Sequence, residues 1–131
     1  MSDLQGTETH RHLEQSFARE SQAAMRYRFF AQEADIEGEP EVANRFRLLA
    51  DAATGHALGH LELLAEVADP ATGRPIDDTE QRVASATESE TTDHAERYPR
   101  YADVANAEGF GEVGAWMGSL AKADHADRLL G

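Results

Sequence analysis

Seven residues of metal-ligand type stand where a helical pattern calls for apolar ones. His56 and His60 fall four apart in the stretch LADAATGHALGHLELLAEV, on a stripe made of Val42, Phe46, Leu49, Ala53, Leu63 and Val67. Its alternating steps of three and four mark the inward face of a helix. Glu20 interrupts a second such face, carried by Phe17, Ala24, Tyr27, Ala31 and Ala34. Glu90 and Asp93 interrupt a third, with Val83, Ala86, Arg97, Tyr101 and Val104, and Asp124 and Asp127 a fourth, with Val113, Met117, Leu120 and Leu130. A polar group inside a protein is costly without a partner. One inward histidine or glutamate has a plain use as a hydrogen-bonded core residue. Recurrence on four faces points instead to a metal, because carboxylates and imidazoles on facing helices are how a bundle core holds iron, manganese or zinc.

The elements that must carry these residues follow from the punctuation of the chain. A first helix is expected from Thr7 to Glu37, free of glycine and proline until Gly38 and Pro40. Pro40 suits the first turn of a second helix, running to about Ala68. Residues 69–78, DPATGRPIDD, form the one long connection and divide the chain into two helical hairpins. A third helix starts near Asp77 to Thr79, where DDTEQ offers a cap, and extends to about Glu108. Pro99 inside it should bend it and leave the Ala95 carbonyl without its usual partner. A fourth runs from about Phe110 to Leu130. The expected architecture is an all-α four-helix bundle in one domain spanning residues 1–131.

Composition narrows the partners. A formal charge of −13 disfavours nucleic acid and anionic membranes, both of which would repel the chain. No apolar run is long enough to cross a bilayer, and the opening MSDLQGTETHRH has neither the basic nor the apolar region of a signal peptide, so a cytoplasmic location is expected. With no cysteine there is no thiolate site and no disulfide. Any metal must rest on carboxylates and imidazoles. His10, His12 and His125 read as surface residues, and His94 borders the third stripe.

The two halves also repeat weakly. A shift of 71 residues lays Phe46 on Met117, Ala53 on Asp124, His56 on Asp127 and Glu37-Gly38 on Glu108-Gly109, whereas Glu20 precedes Glu90 by 70. Two related hairpins about a pseudo-twofold axis would set ligands symmetrically around a two-metal centre. Ala53 breaks that symmetry, standing where the repeat wants an acid.

These residues carry a resemblance. FARESQAAMRYRFFAQEA resembles the first helix of the rubrerythrin family, and ERYPRYADVANAEGF is similar to its third helix and turn, the likeness running from about Leu13 to Leu129. The resemblance implies a ferritin-like four-helix bundle whose non-haem diiron centre reduces hydrogen peroxide in oxidative-stress defence. It also implies a homodimer, with hairpins folded back or exchanged across residues 69–78. Because the chain stops where a rubredoxin domain would begin and has no cysteine to build one, it resembles the short, erythrin-only branch, which takes electrons from a separate donor such as a rubredoxin or a reductase.

Carried over residue by residue, the resemblance matches Glu20 to the first-helix glutamate, His56 to the second-helix histidine and Glu90 to the first third-helix glutamate. Asp93 replaces the second glutamate of that helix, Asp124 a bridging glutamate, and Asp127 the second histidine. Ala53 occupies the place of the other bridging glutamate, and His60, one turn from His56, is positioned to compensate. Tyr27 and Tyr98 match tyrosines beside the family's iron, where a hydroxyl orients carboxylates or bound oxygen; each also has a plain use in packing. The departures from the ligand pattern leave a second reading open: a degenerate bundle with one metal, zinc or iron, or with none, serving as a scaffold. Metal storage finds no support in the sequence.

Overall fold

The computed structural model describes residues 2–122, and these are helical with no strand among them. Contacts divide the chain into two compact units, Met1–Pro70 and Ala71–Gly131, and each described part is a helical hairpin.

In the first unit a 3-10 turn, Ser2–Leu4, precedes α1, Glu8–Ile36, and α2, Pro40–Leu64. Thr7 caps α1: its hydroxyl oxygen accepts the His10 backbone N–H at 3.0 Å, while the Gly6 N–H donates to His10 Nδ1 at 3.2 Å. Two of the orphan donors at the helix start are thereby engaged from neighbouring side chains. The turn between the helices depends on Gly38, at φ 78°, with the Glu39 N–H reaching back to the Ala34 carbonyl at 2.8 Å. A backbone in that region disfavours any side chain, which is why glycine ends the helix here.

The seam between α1 and α2 is built largely of alanine. Ala24, Ala31 and Ala34 of α1 are buried, as are Ala43, Ala50, Ala53, Ala57 and Leu64 of α2. Ala43, Ala50, Ala57 and Leu64 recur every seventh residue, the spacing of a seam between paired helices. Methyl-sized side chains let the two backbones approach closely. The large residues of the expected α2 stripe lie elsewhere: Val42, Leu49 and Leu63 remain 38%, 49% and 50% exposed. One residue of a helix turns the direction by about 100°, so α2 carries two apolar faces, and the alanine face is the one that meets α1.

The second unit comprises α3, Thr79–Thr92, a π-helical turn, Asp93–Arg97, then α4, Tyr98–Ala107, and α5, Gly111–Lys122. The expected third helix is thus α3, the π turn and α4 in unbroken succession. Asp78 accepts the Gln81 N–H at 2.8 Å and Gln81 Oε1 accepts the Asp77 N–H at 2.7 Å, a reciprocal cap that fixes where α3 begins. Residues 71–78 are tied to α3 by the hydroxyls of Thr72 and buried Ser85, 2.5 Å apart, and by Arg74 Nε donating to Glu88 Oε1 at 2.9 Å. Past Pro99, which has no N–H for the Ala95 carbonyl, the chain turns at Gly109, at φ 90°, with the Phe110 N–H on the Ala105 carbonyl at 2.8 Å. That closure is the one seen at Gly38. Buried Ala102, Ala105 and Gly114 line the contact of α4 with α5.

The internal repeat now acquires a structural cause. Tyr27, Ala31, Ala34, Gly38 and Ala43 precede Tyr98, Ala102, Ala105, Gly109 and Gly114 by 71 residues, but Glu20 precedes Glu90 by 70. One residue is gained between Glu90 and Tyr98, where the π turn lies. A π turn closes on the fifth residue rather than the fourth and so holds one residue more than an α turn. The second hairpin is the first with a single residue inserted.

Candidate metal centre

Two groups of ligand-type side chains are assembled, one in each unit. In the first, Glu20 of α1 and His56 of α2 face each other with Oε2 and Nδ1 at 3.1 Å. Both come from the positions the sequence selects. The carboxylate oxygen accepts and the imidazole Nδ1–H donates, which fixes the ring. Metal bonds of about 2.1 Å at angles of roughly 90–110° would also separate two donor atoms by about 3.0–3.4 Å, so this spacing accommodates a cation between them. The expectation of an inward, buried histidine is not met within this unit: the His56 side chain is 62% exposed and that of Glu20 31%. His60 is half-buried, one turn further along α2, and among the described residues forms no three-residue ligand group with them.

Ala53 is 4% exposed and packs in the alanine seam, one turn before His56. Its methyl group supplies no donor. Tyr27 lies 6.5 Å from Phe46, stacked, and 6.2 Å from Phe30, with the Arg26 guanidinium 5.7 Å above its ring. The ring is used for packing.

In the second unit Glu90, Asp93, His94, Tyr98 and Leu120 line a cavity of about 180 Å³, room for several waters or a hydrated ion. Helix spacing accounts for most of this grouping, Asp93 and His94 lying three and four residues after Glu90, and the π turn for Tyr98 beside Asp93. In an α-helix residues three or four apart share a face and a residue five on points away. Here the Tyr98 N–H bonds the Asp93 carbonyl, five residues back, so Tyr98 comes round beneath Asp93 and joins Glu90 and Asp93 on one wall. His94 is the residue whose place the sequence showed least: it lines the cavity, and its Nδ1 is buried without a hydrogen-bond partner, as is Thr87 Oγ1 two turns earlier. The border position of His94 beside the third stripe, four residues after Glu90, was the available signal.

Asp93 is already engaged. Arg97 Nη1 donates to Asp93 Oδ1 at 2.9 Å. That hydrogen bond, followed by the carboxylate's charge, raises the guanidinium's pKa above its ordinary value. Asp124 and Asp127 lie outside the described residues.

The donor chemistry fits a cation of the iron, manganese or zinc type: carboxylates and imidazole in pairs, with an unpartnered buried imidazole nitrogen at the cavity. Among the described residues no three His, Asp or Glu side chains form a group able to hold a metal ion. No described helix is long and apolar enough to cross a membrane.

Comparison with known proteins gives one consistent family. The Rubrerythrin family model matches residues 12–130. The chain is similar to rubrerythrin of Clostridium perfringens, 35% identical over 140 residues that cover 99% of this chain and 72% of that protein. It is similar also to rubrerythrin of Porphyromonas gingivalis, 33% identical with 97% and 66% covered, and to rubrerythrin of Nitratidesulfovibrio vulgaris, 32% identical with 99% and 71% covered.

Proposed function

The chain belongs to the rubrerythrin family, an all-α, ferritin-like class, and from that premise we propose that it is a non-haem iron oxidoreductase that reduces hydrogen peroxide with electrons from a separate donor, through an altered metal site. The observation that carries this reading is the Glu20–His56 pair, preformed at 3.1 Å by two helices whose buried contact residues are alanine and leucine. Glu20, His56, Glu90 and Asp93 are the proposed ligands, with His94 as an added donor at the cavity. A homodimer is part of the proposal, as is treatment of residues 1–131 as one domain with 69–78 as its connection.

When bound, reduced iron supplies the two electrons that, with two protons, convert peroxide to two waters. The remaining work falls to this chain's own side chains. Without a cation the Glu20 carboxylate accepts the His56 Nδ1–H and so holds the ring at the spacing that a cation between the two atoms would need, the Nδ1 proton leaving as the cation binds. Glu90 and Asp93 supply negative charge that favours the more oxidised cation. Tyr98, on the wall of the 180 Å³ cavity, is placed to donate its hydroxyl proton in a hydrogen bond to an oxygen held there. Leu120 closes the same cavity with an apolar surface.

Buried Ala53 favours a second reading, in which a single zinc or iron binds, or none, and the fold serves as a scaffold. Rapid mixing separates the two. Protein loaded anaerobically with ferrous iron and then mixed with peroxide or with oxygen should reoxidise faster with peroxide. Equal rates, or oxidation no faster than that of free ferrous ion, would refute the peroxidase reading and leave the scaffold.

A further inference from the structure

The two engaged ligand positions have partners of opposite usefulness to a metal. Glu20 is paired with His56, an imidazole that is itself a donor, so a cation arriving between them keeps both. Asp93 is paired with Arg97, which has five N–H donors and no lone pair to offer. A cation that takes the Asp93 carboxylate in full must displace that guanidinium. Arg97 is absent from the lining of the cavity that Asp93 helps to form, so it holds the carboxylate from outside while the cavity presents it from within. Glu90, on the same wall, carries no ion pair among the described residues.

We propose that Arg97 is a resident competitor of the metal: its guanidinium occupies the Asp93 carboxylate when no cation does, and its displacement weakens loading of the centre. This inference rests on the metal-centre reading above. The contact links residues four apart within the π turn, and the Arg97 side chain is half exposed, so displacement costs little and remains reversible. A weak, built-in cation suits a site that must be loaded after the chain has folded.

The test is titration of the full-length protein with Mn(II) alone, reading free Mn(II) by its electron paramagnetic resonance signal. Replacing Arg97 by methionine, R97M, keeps the stem and removes the charge. It should tighten Mn(II) binding by roughly two- to fivefold, the range for an exposed ion pair. R74M removes the same charge from a like-length pair with Glu88 on α3 and should leave the affinity unchanged. In a D93N background R97M should have no effect. Equal affinities of wild type and R97M, or an equal gain in R74M, overturn the competitor role while leaving the metal centre standing. Failure of the wild type to bind Mn(II) at all overturns the metal centre, and this inference with it.

Discussion

The two hairpins turn in the same way and then diverge. Both close on a left-handed glycine, Gly38 and Gly109, with an N–H reaching back five residues at 2.8 Å, and both bury small residues 71 positions apart. The first keeps unbroken α-helices and offers one donor from each, Glu20 and His56. The second has gained one residue and with it a π turn, and there Asp93, His94 and Tyr98 line a cavity with Glu90. The residue of α1 that corresponds to Asp93 is Ala23, which has no donor. The second of two like hairpins therefore carries a richer set of ligand-type side chains, at the place where it holds one residue more.

Four changes test that contrast. Adding a donor to the first hairpin by A53E should act most strongly, because position 53 is 4% exposed in the alanine seam. Without metal the variant should lose about 2–4 kcal/mol, the cost of an unpartnered buried carboxylate. Added Mn(II) should return part of the loss as a rise in melting temperature, which differential scanning calorimetry would read. Making the second hairpin like the first, by deleting exposed Ala95 from the π turn, should restore a regular helix with helicity intact by circular dichroism. Mn(II) affinity should then fall by about 10–100-fold, as for other displaced metal-site partners.

Packing changes come next in size. A43L forces a large side chain into the closest part of the first seam, where Ala43 is wholly buried, and should cost about 1–3 kcal/mol in urea unfolding. Its counterpart G114A should cost less than about 1 kcal/mol. The added methyl meets only the amide end of Asn106, and that exposed side chain can turn away. Equal penalties at the two positions would show that the seams are alike after all.

Much of this was legible in the residues. The α1 cap at Thr7, the breaks at Gly38 and Gly109 and the start of α3 near Asp78 each follow from a residue with one favoured local use, and the structure puts the helix ends there. Membership of the rubrerythrin family was legible in the first- and third-helix motifs, and the family match over residues 12–130 agrees. The packing face of α2 was not, because alanine contrasts little with its neighbours in hydrophobicity and a stripe of Val42, Leu49 and Leu63 draws attention one residue away. The π turn was half visible, as Pro99 and as two repeat spacings that differ by one. The place of His94 at the cavity was half visible too, since it lies four residues after Glu90 and beside the third stripe.

The central claim is that these carboxylates and imidazoles hold iron. Its most direct test is the metal content, by elemental analysis, of protein produced without a tag or added metal, compared with an E20Q/E90Q double variant. The account predicts iron as the main metal, at one or two per chain, and its loss from the double variant with helicity unchanged. Zinc alone, or a wild type as free of metal as the double variant, would contradict it.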